Sequence, residues 1–475
     1  MKIYQMEEKY RQYTGDESRL TGRCDSISFP ETEDEAAEIL AHMAASKIPV
    51  TLQGGLTGVT GGAVPWGGHV MNLSRMTKIL DYQKTETGAL LTVEPGLTVL
   101  DLKKEIRRLA GKDRLFWPAW PTAETASVGG IAANNSRGIC SYHYGDARAN
   151  IASVRFLAAD GRRKTVSARE EPGLFGRIVG GEGAGGVITA LELTLIPRPE
   201  SLWAICFFLK TEETAARFVE GARSIAGAHR EDTAFVAALE YLDGPVLALI
   251  GAGRDSVAKL QDLPEFPSNP AGAVYMELHG SEDGVEELAG ELLELSADCG
   301  CMDEDTWAVS GEAEARRLEH FRGAASELVN ARIDEIKRTF PAMTKLAADM
   351  DFPTESFADT LARYRKGAER INVPCYIYGH AGTGSPYANL MPENAGEYEA
   401  CKELLRDWAR ECRTLGGMTA GEYGVGKLAE SLLGELVPEE KQETFHALTA
   451  EWDPAGILRK KLWKTDAARY IIYRA

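Results

Sequence analysis

The stretch that decides the reading is Pro49–Met76, PVTLQGGLTGVTGGAVPWGGHVMNLSRM. A β-prone run, Val50, Thr51 and Leu52, leads into Gly54, Gly55, Gly58, Gly61, Gly62, Gly67 and Gly68, and a second apolar run resumes at Val70–Leu73. Seven glycines in fifteen residues exclude a helix and suit a loop whose amides come close to a bulky ligand. A concave nest of backbone N–H groups attracts anions, and a nucleotide diphosphate is the expected occupant. A strand rather than a helix follows Gly61, so the pattern is not the GxGxxG of a dinucleotide-binding βαβ unit, and no GxxxxGK[ST] occurs.

Two further glycine-dense stretches lie in the first 200 residues. Trp117–Gly145, WPAWPTAETASVGGIAANNSRGICSYHYG, reads as a long polar loop that needs a partner to be buried. Gly180–Thr189, GGEGAGGVIT, runs directly into an alternating strand at Ala190–Ile196 that Pro197 and Pro199 stop. One extended ligand touched by all three loops is the economical explanation. Between them the pattern predicts a helix capped by Thr32 and running to about Ser46, strands near Ile79–Tyr82 and Ala89–Val93, and an amphipathic helix over Thr98–Leu109.

Composition narrows the remaining classes. The chain has 475 residues, 44% hydrophobic and 26% charged, which is the balance of a soluble globular protein with ample length for more than one core. A net charge of −18 argues against nucleic acid or an anionic membrane as partner. No apolar run approaches the roughly 18 residues of a membrane span, no signal-like segment opens the sequence, and a cytoplasmic location is expected. Eight dispersed cysteines form neither a disulfide framework nor an iron–sulfur spacing, and eight dispersed histidines announce no local zinc motif. From Trp203 the pattern changes to alternating strands and helices, WAICFFL, Glu212–Ile225, ALEYL, AVYMELHG and Glu282–Leu295, followed by a strand at Val373–Tyr378 and a helix at Ala395–Leu415.

The order GGLTGVTGGAVP, NLSRM, VEPG, ASVGG with ANNSRG and YG, then GGEGAGGVIT resembles the FAD-linked oxidases of the vanillyl-alcohol oxidase/PCMH type, and most closely their D-lactate, glycolate and D-2-hydroxyglutarate dehydrogenase branch. The resemblance implies an α+β chain: a PCMH-type FAD-binding domain over residues 1–202, an α+β cap over 203–415, and a segment 416–475 that returns to the FAD domain, with the substrate pocket between domain and cap. It places Gly54, Gly55, Thr57, Gly58 and Gly61 around the FAD diphosphate, Ser127, Gly129, Gly130 and Asn135 along the isoalloxazine and ribityl, and Glu182, Gly183 and Ile188 on the adenine side. Relatives that tether the flavin carry a histidine after the first glycine pair; Leu56 stands there, so noncovalent FAD is expected. Cys140 is read as a small residue filling its loop rather than as a tether. The closing EWDPAGILRKKLW resembles the family's C-terminal return but lacks the usual Asn-Pro-Gly.

The cap motifs depart from the branch. Its GHxGDGNxHxN and SGEHG motifs supply two histidines and a glutamate to a divalent metal, and a histidine base. This chain reads GHAGTGSPYAN and AGEYG, which keeps His380 and Glu422 but puts Tyr387 and Tyr423 in the other two positions. No divalent metal is expected at these positions. His380 becomes the candidate general base, with Tyr387, Tyr423 and Glu422 around the substrate; a Tyr423 base would need a cation such as Lys427 nearby. Arg322 in LEHFRG is the candidate partner for a substrate carboxylate and Lys345 a second one. The implied activity is oxidation of a hydroxy acid or related alcohol by hydride transfer to flavin N5, with electrons passed to a separate acceptor, for which a separate electron-transfer protein is a candidate. The alternative is a catalytically altered flavoprotein subunit serving electron relay or assembly.

Overall fold

The structure is a computed structural model that describes residues 2–255, 257–261, 263–267, 269–353, 356–428 and 439–458. The chain divides into two compact units: residues 1–138, 145–198 and 422–475 form the first, and residues 139–144 and 199–421 the second. The excursion at 139–144 has no counterpart in the sequence reading.

In the first unit, β1 (Tyr4–Gln5), β2 (Ser26–Ser28), β3 (Val50–Gln53) and β4 (His69–Asn72) form a four-stranded sheet of order β1-β2-β4-β3, with helix α1 (Glu33–Ala45) between β2 and β3. Thr32 caps α1 by accepting from the Glu35 amide at 3.2 Å, and Ala36, Ile39, Leu40 and Met43 face the core one helical turn apart. β3 and β4 are parallel, and the glycine loop joins them without a helix. On β4, His69 is fully buried between two serines of β2: Ser26 Oγ lies 2.9 Å from Nδ1 and Ser28 Oγ 2.7 Å from Nε2. Burial, and then repulsion from His42, lowers its pKa from 6.5 to about 4, so the ring is neutral, one serine donating to it and the other accepting from it.

A second sheet of order β5-β6-β10-β8-β9 follows, with β7 at the end of β10. Its strands are β5 (Ile79–Lys84), β6 (Ala89–Val93), β7 (Leu115–Phe116), β8 (Ile151–Leu157), β9 (Arg163–Ser167) and β10 (Val187–Pro197). Helix α2 (Val99–Ala110), capped by Thr98, buries Val99, Leu102 and Ile106 against this sheet's core. The stretch expected as one long loop, Trp117–Gly145, instead contains two helices, α3 (Val128–Asn134) and the single turn α4 (Ser141–Tyr144). Two glycines at the start of α3 hide it from propensity, but Ser127 caps it and Val128, Ile131 and Ala132 bury one face. Helix α5 (Pro172–Ile178) precedes the third glycine stretch. Leu448 and Trp452 pack into this same core, and the Val50 amide donates to Ile457 O at 2.7 Å, so residues 448–457 return to the first unit. The EWDPAGILRKKLW motif is described as far as Leu458; residues 459–475 lie outside the described residues.

The second unit is built on a seven-stranded sheet of order β14-β11-β13-β12-β16-β17-β15. Its elements are β11 (Ser201–Leu209), α6 (Glu212–Ala228), β12 (Ala234–Asp243), α7 (Gly244–Gly253), β13 (Gly272–Gly280), α8 (Glu282–Asp298), β14 (Thr306–Ser310), α9 (Glu312–Thr339), β15 (Leu346–Ala348), α10 (Phe357–Arg370), β16 (Cys375–His380), β17 (Ser385–Leu390) and α11 (Ala395–Thr414). Successive side chains alternate faces on each strand, so the register fixes which residues share a face. Tyr241 pairs with Gly379 and Glu240 with Tyr275, which puts Glu240 beside His380 on one strand and Tyr275 on the other.

Candidate functional site

The three glycine stretches converge within the first unit. Gly54 and Gly55 lie so close to residues 125–127 that a Cβ at Gly54 would stand 2.1 Å from Ser127 Oγ, and one at Gly55 would stand 2.2 Å from Thr125 O. Ser127 Oγ accepts from the Gly55 and Gly130 amides, both at 3.3 Å, joining the first stretch to the start of α3, where Gly129 also lies. The Gly180 amide donates to Ala132 O at 2.9 Å and the Glu182 amide to Ala133 O at 2.8 Å, joining the third stretch to the end of α3. Asn135 ends α3 in the left-handed conformation; its Oδ1 accepts from the Arg148 amide at 2.8 Å and its Nδ2 donates to Asp146 at 2.7 Å. Gly183 takes a φ of +80°, and Ile188 is buried on β10.

A segment from far along the chain fastens all three. Thr60 Oγ1 donates to Tyr423 O at 3.1 Å, and the Leu428 amide donates back to Thr60 O at 2.9 Å. Asn134 Nδ2 donates to Glu422 O at 2.8 Å, the Glu182 carboxylate accepts the Val425 and Gly426 amides at 2.8 and 3.0 Å, and Lys427 Nζ donates to Gly61 O and Gly62 O at 3.3 and 3.2 Å. Glu422 and Tyr423 therefore belong to the first unit with their backbone pinned. Lys427, considered as the cation beside Tyr423, directs its ammonium at two loop carbonyls.

The fit of this cradle to a diphosphate rests on its amides. From Leu56 to Gly62, no backbone N–H has a protein acceptor among the described residues. Leu56 sits at a φ of +60°, turning the loop on itself. A Cβ at Gly62 would meet nothing within 4 Å and one at Gly58 only Asp16 Oδ2 at 3.9 Å, so the loop is open at these two positions. Seven successive amides without a protein acceptor supply the kind of donors that a phosphate-bearing cofactor requires.

The chain carries two successive family matches: "FAD binding domain" over residues 25–167 and "FAD linked oxidases, C-terminal domain" over residues 214–461. The chain belongs to the FAD-linked oxidase family. It is 27% identical over 461 residues to the glycolate oxidase subunit GlcD of Bacillus subtilis (strain 168), covering 94% of this chain and 91% of that one. It is also 27% identical to the D-lactate dehydrogenase of Archaeoglobus fulgidus, over 90% and 89% of the two chains. The crystal structure of p-cresol methylhydroxylase with substrate bound superposes with a TM-score of 0.72 at 15% identity, covering 96% of this chain and 92% of that one, and so shares the fold. The mixed helix-and-sheet, PCMH-type architecture of this family is thus the architecture of this chain.

In an FAD-linked oxidase the second unit holds the remaining candidates, and here the structure adds a residue that sequence reasoning missed. Glu240 on β12 is 1% exposed and lies between His380 and Arg322. His380 Nδ1 is 2.5 Å from Glu240 Oε1; Arg322 Nε donates to Glu240 Oε2 at 2.8 Å, and its Nη2 donates to the same oxygen. Burial works against the carboxylate's charge, but Arg322 and then His380 outweigh it and hold its pKa below the ordinary value. The ionised Glu240 carboxylate beside Nδ1 fixes the orientation of the His380 ring. Tyr387 on β17 shares the sheet face of His380, its ring centroid 5.7 Å from the imidazole. Lys345 is buried and donates to Asn330 Oδ1 at 3.1 Å. The signal for Glu240 was an acid inside the apolar strand AFVAALEYLD, because a carboxylate is buried only when it is paired. Among the described residues no helix is long and apolar enough to cross a membrane.

Proposed function

We propose that this chain oxidises a 2-hydroxy acid or related alcohol, using a noncovalently held FAD and passing the electrons to a separate protein. The observation that carries the reading is the run of unanswered amides from Leu56 to Gly62 in a cradle fastened by residues 422–428. The bound flavin would supply the hydride acceptor. The residues of the chain do the rest. Amides of the first glycine stretch meet the diphosphate charge, with Gly54, Gly55, Thr57, Gly58 and Gly61 shaping the turn. The aliphatic side chain of Leu56 offers no atom for a covalent bond, so the cofactor is held by these contacts alone.

His380 Nε2 takes the substrate hydroxyl proton, Glu240 fixes the ring through Nδ1, and Arg322 keeps Glu240 anionic. Since two donor atoms of Arg322 serve Glu240, its main task in this reading is to orient the base, and any hold on a substrate carboxylate is secondary. Tyr387, beside His380, adds polar and aromatic surface for a substrate larger than the smallest hydroxy acids. Relatives named as a glycolate oxidase subunit and a D-lactate dehydrogenase support the hydroxy-acid class. A cytoplasmic location accompanies the proposal.

The test is anaerobic mixing of the flavin-loaded protein with a panel of D- and L-2-hydroxy acids and alcohols. Bleaching of the oxidised-flavin band by a member of the panel is expected, lost in His380→Gln with flavin retained. A fully loaded protein that no member bleaches refutes the oxidation, and a purified protein that takes up no flavin refutes the cofactor.

A further inference from the structure

The second unit contains a second buried polar cluster that the flavin chemistry does not use. Glu277 and His279 are two residues apart on β13 and so face the same side of the sheet. Cys140 reaches them from the 139–144 excursion. Cys140 Sγ is 3.4 Å from Glu277 Oε2, and His279 Nε2 is 3.3 Å from that same oxygen. The thiol, carboxylate and imidazole atoms all lie within 4.8 Å of one another. We propose that Cys140, Glu277 and His279 bind a divalent transition-metal cation of the zinc class.

The spacing supports it. Zinc holds sulfur at about 2.3 Å and nitrogen or oxygen at about 2.0–2.2 Å, so tetrahedral ligand atoms stand roughly 3.5 Å apart. Both distances to Glu277 Oε2 are already close to that value. The ligand types agree as well, because thiolate with imidazole selects zinc-like ions over magnesium or calcium.

The surroundings hold each ligand in place. Tyr144 Oη lies 2.8 Å from His279 Nδ1; with Nε2 on the metal, Nδ1 carries the proton and the phenol oxygen accepts it. The Tyr275 hydroxyl donates to Glu277 Oε1, the oxygen that the metal leaves unused. Glu319 and Glu240 add to the negative field at Cys140 that Glu277 creates, a field that repels a thiolate and attracts a cation. On binding, the Cys140 S–H bond breaks, an S–metal bond forms and the proton leaves to solvent. Thiolate and carboxylate then balance the two positive charges, and water takes the fourth position. None of the three ligands is a residue that the family motifs would place on a metal; those positions here are His380, Tyr387 and Glu422.

The experiment uses the full, flavin-loaded protein, produced with zinc and desalted. Metal analysis should find one zinc per chain, and zinc-edge X-ray absorption should show one sulfur neighbour at about 2.3 Å. Cys140→Ser and His279→Gln should lose the metal, Tyr144→Phe should weaken binding about 10- to 100-fold, and His380→Asn should keep it. In the unsubstituted protein, zinc should block alkylation of Cys140, and a chelator should restore it; this reading does not depend on any variant folding. A protein without stoichiometric zinc, a spectrum without sulfur, or zinc lost with His380 but kept in Cys140→Ser overturns the proposal. Because metal content is read independently of flavin colour, its failure leaves the oxidoreductase reading standing, and the reverse.

Discussion

Replacing Glu240 by Gln removes one charge while nearly preserving volume, so the change isolates electrostatics from packing. Glu240 is 1% exposed and accepts from Arg322 on Oε2 and from His380 on Oε1. A glutamine offers one accepting oxygen, and its amide must face either the guanidinium or the Nδ1 proton, donor against donor. Arg322, 8% exposed, loses the carboxylate that faces its Nε and Nη2, a loss of about 3–5 kcal/mol. For a unit of this size each kcal/mol lowers the transition by roughly 2–4 °C, so the second unit should unfold about 6–20 °C earlier by calorimetry. Loss of the anchor on His380 should also slow flavin reduction by about 10²- to 10⁴-fold in anaerobic stopped flow, with flavin content unchanged. The double variant Glu240→Gln/Arg322→Met separates the two effects: removing the guanidinium that faced the lost carboxylate should recover much of the stability and none of the reduction rate. A single Glu240→Gln protein that unfolds at the wild-type temperature and reduces its flavin at the wild-type rate would falsify the assignment of Glu240 as the residue that holds base and guanidinium together.

Two further perturbations test the first unit. A Cβ at Gly55 would stand 2.2 Å from Thr125 O, a backbone atom that cannot rotate away, so Gly55→Ala should cost the cradle about 1–3 kcal/mol, or roughly 5- to 160-fold in flavin affinity by fluorescence titration. Gly173→Ala, where a Cβ meets nothing within 4 Å, is the control, and equal affinities in the two variants would contradict the close approach. For His69, the folded pKa of about 4 lies below the unfolded 6.5, so its contribution of about 3 kcal/mol is whole above pH 6.5 and disappears as pH falls toward 4. Urea midpoints measured across that window should drop steeply in the wild type and less steeply in His69→Gln; parallel curves would count against a neutral, buried imidazole.

The elements most readable in the sequence were those whose local chemistry agrees with their final burial. Thr32 announces its helix because a cap and an apolar stripe lie side by side in the chain, and α2, expected from its stripe alone, begins one residue after Thr98, which caps it in the same way. The first glycine stretch was legible because so many glycines leave a loop as the remaining choice. Helix α3 was not, since its glycines argue against a helix that tertiary packing of Val128, Ile131 and Ala132 imposes. At the candidate site, His380 and Arg322 could be singled out by resemblance, but their link could not. Glu240 is 140 residues from His380 and 82 from Arg322, and only the register of β12 with β16 places the acid beside the histidine. Cys140 escaped for the same reason: its loop sits in a flavin-like motif, whereas its side chain meets a strand 137 residues later.

The fastening of the glycine loops by residues 422–428 bears on how the protein is made. Ribosomes deliver about 5–20 residues per second, so the stretch 199–421 separates the main body of the cradle from its clasp by roughly 11–45 s of synthesis. During that interval the nascent cradle has its loops but lacks the tie to Thr60, Asn134 and Glu182, while the stretch 199–421, emerging without interruption, can already assemble its sheet. On the proposed function cofactor capture becomes a late event in the life of the chain, and ribosome-bound intermediates stalled before residue 422 should emerge colourless even in a flavin-rich cell.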